Sequence, residues 1–81
     1  MDLVKLTEYL VKLLVKDPDN VSVKEFESDD DNIIIQVLVD SESVGAVIGK
    51  GGKIASSIRT IVNASSLVNN NKKVRINIDS F

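Results

Sequence analysis

The segment Gly49-Lys50-Gly51-Gly52, called the glycine loop below, joins two apolar helical patterns and limits the folds open to this chain. Glycine has no Cβ, so its backbone can take positive φ angles and another chain can approach it closely. Apolar residues before the loop predict a short helix over about 43–48, and those after it predict a second helix over about 52–64. A plain turn between helices needs one glycine, whereas three add an entropic cost on folding. The pattern therefore favours a loop built for close approach of a ligand.

The predicted second helix begins at the loop, which makes this position attractive to phosphate. Its first amides would lack partners within the helix and would carry the positive end of the helix dipole. Lys50 and Lys53 add charge beside them. A nucleotide P-loop requires G-x-x-x-x-G-K-[ST], but only three residues separate Gly45 from Gly49, and Gly51 stands where Ser or Thr is needed. The loop therefore favours phosphate binding but does not match a nucleotide P-loop.

The charge distribution bears on the same question. The net charge of −2 and the pI near 4.9 argue, taken alone, against a nucleic-acid binder. However, positions 1–40 carry four cations and ten acids, whereas positions 41–81 carry six cations and two acids. Exposed charges act over about 8–10 Å at physiological salt, so the half that holds the glycine loop is locally basic. The small number of cations predicts weak, salt-sensitive binding.

Several kinds of chemistry are missing from this composition. The chain has no cysteine and no histidine, so it lacks disulfides, thiolate ligands, a cysteine nucleophile and the usual general base. The acidic run Asp29-Asp30-Asp31 lacks the spacing and distal glutamate of a calcium loop, so we expect a solvated turn there. We predict no enzymatic activity, no cofactor and no metal site.

The predicted location follows from the N-terminal region and from hydropathy. The first helical pattern is studded with charges and has no signal-peptide cleavage site. No apolar run approaches the roughly 18 residues of a membrane span. We therefore predict a cytoplasmic protein of one domain, residues 1–81, without a membrane span.

Apolar periodicity predicts the remaining elements. A leucine-rich stripe made by Leu3, Leu6, Leu10, Leu13 and Leu14, with Asp2 as N-cap, predicts a first helix that packs on a sheet and ends before Pro18. The predicted elements, in order, are a helix over 2–16, strands over 21–27 and 33–39 around an acidic turn at 28–32, the helix pair, a polar loop over 69–73 and a strand over 74–78.

This order, α-β-β-α-α-β, with the glycine loop at the joint of the helix pair, resembles the type II (bacterial) KH domain over essentially the whole chain. The segment 48–62 is especially similar to the small KhpA (YlqC-type) RNA-binding proteins. Many KH domains have isoleucine where Ala55 stands here, and Ile54 precedes it; the KhpA-like group shares this departure. The resemblance implies an α+β fold, with three helices on one face of a three-stranded mixed sheet.

The resemblance also implies a groove for single-stranded RNA between the helix pair and the sheet. In that groove the glycine loop would grip the sugar-phosphate backbone, three aliphatic side chains would form a floor under the bases, and cations near the last strand would flank them. The RNA-binding residues implied in this way are Val47, Ile48, Gly49, Lys50, Gly51, Gly52, Lys53, Ile54, Arg59, Lys72, Lys73 and Arg75.

Partners and cellular role are likewise implied by the resemblance. Such proteins pair with themselves or with a larger KH protein of the KhpB (Jag) type, and act as RNA chaperones or post-transcriptional regulators linked to cell division and wall growth. One alternative stays open, a protein-interaction subunit that acts through dimerisation and binds RNA weakly. Its candidate surface is the apolar patch Val44, Val47 and Ile48.

Overall fold

The computed structural model describes residues 2–27, 31–69 and 71–81. Its elements confirm the predicted order α-β-β-α-α-β, with 3-10 turns at Pro18–Asn20 and Lys50–Gly52. The longest helix has 17 residues, and within the described ranges no helix has the length and apolarity that a membrane crossing needs. The elements are α1 (Leu3–Lys12), β1 (Ser22–Glu27), β2 (Asn32–Val39), α2 (Val44–Ile48), α3 (Lys53–Asn69) and β3 (Lys73–Ser80).

The three strands form one mixed sheet in the order β1-β2-β3. Strand β2 lies in the centre, antiparallel to β1 and parallel to β3, with Val23 opposite Val37 and Ile35 opposite Ile76. Parallel neighbours need a long crossover connection, which α2 and α3 provide. The three-stranded mixed sheet that the resemblance implies is confirmed.

All three helices cover one face of this sheet. Alternate residues of β2 are buried, and their side chains join a single apolar core with residues from each helix. Because successive side chains of a strand point to opposite faces, the even-numbered residues of β2 lie on the other face, which is only partly buried. The core residues are Leu3 and Val11 of α1, Ile33, Ile35, Val37 and Val39 of β2, Val47 of α2, Ile58 and Val62 of α3, and Val74 and Ile76 of β3.

Helix α1 is shorter than the predicted 2–16. Asp2 is its N-cap as expected, since its Oδ1 accepts the Val4 N–H at 2.9 Å. The helix ends at Lys12, and the Leu14 N–H donates to the Val11 carbonyl at 2.9 Å in a tightened last turn. Leu13 therefore leaves the predicted stripe and is exposed. The leucine pattern continued past the point where the backbone stops being helical.

Helix α3 is longer than the predicted 52–64 and takes in the start of the predicted polar loop. Ser66 continues its buried face, and the Ser66 Oγ donates to the Lys72 carbonyl at 2.7 Å. A buried serine is tolerated when its hydroxyl is hydrogen-bonded, but an apolar pattern does not count it. Residues 28–30 of the predicted acidic turn lie outside the described residues.

Candidate nucleic-acid interface

The glycines of the loop have two different structural roles. Gly49 has φ 76° and ψ 170°, and a Cβ placed there would lie 2.6 Å from the Ile54 Cγ1. Gly51 and Gly52 also have positive φ, but a Cβ on either would meet nothing within 4 Å. Gly49 is therefore required by packing inside the protein. Gly51 and Gly52 face open space in which another chain could approach the backbone.

The amides around the loop are less available than the sequence predicted. The Gly52 N–H donates to the Gly49 carbonyl at 3.1 Å, and the Lys53 N–H donates to the Lys50 carbonyl. The prediction that the first amides lack partners is wrong for these two, because a 3-10 turn precedes α3. Lys50 and Lys53 are exposed, so the positive charge beside the loop comes chiefly from side chains.

The predicted apolar floor is only partly present. Val47 is fully buried in the core, so its predicted place on the surface of a groove is wrong. Ile48 and Ile54 are partly exposed beside the loop. Successive residues of a helix turn by about 100°, so Ile54 lies about 140° around α3 from Arg59. Ile54 therefore belongs to the loop and not to the side of α3 that faces β3.

Three predicted cations come together at the edge of the sheet. An open cleft of about 410 Å³ lies between α3 and β3, and we call it the basic cleft. No carboxylate is among its described lining residues, so the potential inside it is positive. Lys72 does not line it. The lining residues are Asn32, Arg59, Lys73, Val74, Arg75 and Ile76.

The outer edge of β3 forms one wall of the basic cleft. The Lys73 N–H donates to Asp31 and the Phe81 N–H to Val39, each at 3.0 Å, so the backbone groups of odd-numbered residues point toward β2. Those of even-numbered residues point outward. Asn63 of α3 pairs with both outward groups of Val74, donating from Nδ2 to the carbonyl at 2.9 Å and accepting the N–H at Oδ1 at 2.8 Å.

Farther along this edge, fewer outward backbone groups of β3 are hydrogen-bonded to side chains of α3. Arg59, one turn before Asn63, donates from Nη2 to the Ile76 carbonyl at 3.4 Å. Among the described residues, no side chain of α3 pairs with the outward N–H and C=O of Ile78. The apolar pattern of the sequence does not predict this role of Asn63. The only signal was its i, i+4 spacing from Arg59 along one side of α3.

Comparison with known proteins identifies the family to which this chain belongs. Residues 4–78 match the model of the KhpA/KhpB KH domain. The chain belongs to the KhpA/KhpB family of KH domains. It is 42% identical over 74 residues to the RNA-binding protein KhpA of Clostridium perfringens, which covers 91% of this chain and 96% of that protein. It is 41% identical over 69 residues to the RNA-binding protein KhpA of Listeria monocytogenes, and this match covers 85% of this chain and 88% of that protein.

Solved structures with a similar fold include two of Era. In the crystal structure of Era with MgGDPNP and nucleotides 1506–1542 of 16S ribosomal RNA, the match has a TM-score of 0.69, 16% identity and 96% coverage of this chain. In the crystal structure of Aquifex aeolicus Era bound to GDP and AlF4−, the match has a TM-score of 0.74, 16% identity and 98% coverage of this chain. This chain spans 29% and 30% of the two Era chains. At this identity the likeness shows the fold alone, and the predicted KhpA-type KH fold is confirmed.

Proposed function

We propose that this chain is a non-catalytic RNA-binding protein that holds single-stranded RNA along the glycine loop and the basic cleft. The observation that carries the proposal is the open space at Gly51 and Gly52 together with a cleft of three cations and no described carboxylate. The names of its KhpA relatives support RNA as the ligand. Without histidine, the site lacks the side chain that most often acts as general acid or base.

The loop and the cleft lie on one path along α3. Gly52 directly precedes α3, and Arg59 is the seventh residue of that helix, about 9 Å along the axis from Lys53. A strand whose phosphates lie against Gly51 and Gly52 would therefore meet the Arg59 guanidinium two helical turns farther on. Lys50 and Lys53 would neutralise phosphates at the start of this path. We infer that the RNA runs parallel to α3, between it and the edge of β3.

The edge of β3 offers the bases hydrogen-bonding partners. Unpaired single-stranded bases present donors and acceptors on their Watson–Crick edges, and the Ile78 N–H and C=O point outward beside the path. Backbone groups need partners when they are removed from water, so a base seated there would be held by a donor and an acceptor. This arrangement supports RNA binding with modest sequence preference.

An NMR titration tests the proposal. Adding a short unstructured oligoribonucleotide at low ionic strength is expected to shift the amide resonances of residues 49–53, Arg59 and Ile78. Helix α1 contributes no residue to the lining of the basic cleft and serves as the internal reference. With about three or four phosphate contacts, log Kd should change with log salt with a slope magnitude of roughly 2–3 for a single strand. If no resonance of 49–53 moves, the proposal is rejected.

Exposed side chains on α3 favour a second component, self-association. Ile54, Ile61 and Val68 follow one another at seven-residue intervals, so they form a stripe along one side of the helix. Ile61 is 46% exposed and Val68 is 85% exposed. An apolar stripe of this spacing is typical of a helix that packs against another helix. We infer that two copies of the chain pair through this stripe.

The stripe replaces the surface that the sequence suggested for dimerisation. Val47 is buried and Val44 packs against the core, so of the predicted patch only Ile48 is exposed. Pairing through α3 leaves the side that faces β3 free, and two RNA sites in one assembly would raise avidity. Pairing with a KhpB-type protein and the link to cell division and wall growth stay predictions.

Light scattering of an Ile61→Asp variant tests the pairing. A buried, unpaired carboxylate is strongly unfavourable in an apolar interface, so this variant is expected to stay near the monomer mass of 8.8 kDa. The unmodified chain should approach twice that mass as its concentration rises. Leu67→Asp is the matched control, since Leu67 is 54% exposed on another side of α3. An unmodified chain that stays monomeric at every concentration contradicts the inference.

A further inference from the structure

The sheet face opposite the helices carries side chains that the proposed RNA path does not use. The pairing of the strands aligns these side chains in rows across the sheet. One row is Phe26, Ile34 and Arg75, and the next is Lys24, Gln36 and Asn77. We call these two rows the open face. Together they present an aromatic ring, two cations and two carboxamides.

Phe26 is the unusual member of the open face. It is 53% exposed although it lies in a strand, and its row partner Ile34 is only partly buried. Strands lie about 4.8 Å apart, so Phe26 on β1 is roughly 10 Å from Arg75 on β3. An exposed ring with cations within this distance matches the stacking platforms that bind single-stranded nucleic acid.

The open face is continuous with the basic cleft. Lys73 and Arg75 line the cleft, and as odd-numbered residues of β3 they also lie on the face of the sheet that the helices leave uncovered. An RNA strand that leaves the basic cleft therefore needs to cross only the edge of β3 to reach Arg75, and it can then continue across the sheet to Phe26. No gap in positive charge separates the two surfaces.

The charges of this face favour RNA over an apolar partner. Lys24 and Arg75 are exposed, and neither makes an ion pair with a carboxylate in the described ranges. Glu25 stands between Lys24 and Phe26 in β1, but it is level with the core residue Ile35, so its side chain points to the other face of the sheet. On the open face itself, the described carboxylates lie at the ends. Asp79 is level with Leu38, and Asp31 precedes β2. The middle of the face is therefore cationic.

We propose that RNA longer than the cleft continues over β3 onto the open face, where Phe26 stacks a base and Lys24 contacts a phosphate. The proposal rests on the proposed RNA-binding function and extends its site from one side of the sheet to the other. Stacking on an aromatic side chain tolerates any base, so this second surface would add affinity and length dependence without adding sequence preference.

The absence of tryptophan from the chain allows a direct test. In a Phe26→Trp variant, an RNA strand of about ten nucleotides is expected to change the tryptophan fluorescence, whereas a strand of about four should not, because the loop and cleft hold about four. Tyr9→Trp is the matched control, since Tyr9 is an exposed aromatic residue of α1. Its fluorescence should respond to neither strand.

Affinity measurements complete the test. Phe26→Leu should weaken binding of the ten-nucleotide strand about fivefold, which corresponds to about 1 kcal/mol of stacking, and leave that of the four-nucleotide strand unchanged. Lys24→Glu should likewise weaken binding of the ten-nucleotide strand and leave binding of the four-nucleotide strand unchanged. If Phe26→Leu leaves both affinities unchanged while the unmodified chain binds both strands, the open face is not an RNA surface and the loop and cleft alone bind the RNA. If the unmodified chain binds neither strand, the proposed function itself fails.

Discussion

Reversing both loop charges, by Lys50→Asp together with Lys53→Asp, is expected to weaken binding of short single-stranded RNA at least 100-fold. Both side chains are exposed beside Gly51 and Gly52, where the phosphates would lie. A charge-assisted hydrogen bond contributes about 1.5–3 kcal/mol, so two lost contacts correspond to about 100-fold or more. The new carboxylates add repulsion. Fluorescence anisotropy with a labelled oligoribonucleotide measures the change.

The control for this experiment must change the net charge equally. Lys5→Asp with Lys16→Asp does so at two exposed positions outside α2 and α3, and neither lysine makes an ion pair with a described carboxylate. This variant is expected to bind within about twofold of the unmodified chain, because screening limits exposed charges to about 8–10 Å. The loop variant should also lower the log–log salt slope by about 1.4, at roughly 0.7 per phosphate. Equal losses in both variants would mean that overall charge, and not the glycine loop, governs binding.

Gly49→Ala is expected to destabilise the fold by about 3 kcal/mol or more. The φ of 76° and ψ of 170° at this residue lie in a region that essentially only glycine occupies. The added Cβ would also lie 2.6 Å from the Ile54 Cγ1 and 2.8 Å from its Cβ, so α3 or the loop must shift. A domain of this size is stable by about 4–12 kcal/mol, so the loss is a large part of the total. Urea unfolding followed by circular dichroism measures it.

Gly51→Ala is the matched comparison. Its φ of 66° and ψ of 17° fall in the left-handed region, which costs a non-glycine residue about 1–2 kcal/mol, and its Cβ would meet nothing within 4 Å. We therefore expect a smaller loss of stability than for Gly49→Ala. Its methyl group would occupy the space through which RNA approaches. The loss in binding free energy for RNA should therefore exceed the loss in the free energy of unfolding. Similar losses of stability for the two variants would contradict the separate roles assigned to the glycines.

Much of the fold could be predicted because its signals are local. Asp2 caps α1 and the glycine loop separates α2 from α3, since capping and positive φ depend on a few neighbouring residues. The boundaries were less accurate where the decisive contact is distant. Ser66 extends α3 because Lys72 accepts its hydroxyl, and an apolar pattern cannot show that partner.

The candidate site was predicted only where its residues are neighbours in the sequence. The loop glycines and lysines are adjacent in sequence, so their grouping was evident. Val47, in contrast, carries the same aliphatic chemistry as Ile48 yet is buried in the core. The edge role of Asn63 depends on Val74, eleven residues away, so the amino-acid pattern contained no direct sign of it.

The amino-acid sequence by itself determined the order of the helices and strands and the position of the glycine loop, because periodicity and glycine spacing act over a few residues. The KH class was implied by the resemblance to that family, and the family match over residues 4–78 shows it. Only the tertiary structure decided that Arg59, Lys73 and Arg75 share one cleft and that Ile54 faces away from it. It also left Phe26 exposed on the far side of the sheet. These outcomes depend on how α3 packs beside β3, and packing joins residues that lie far apart in the chain.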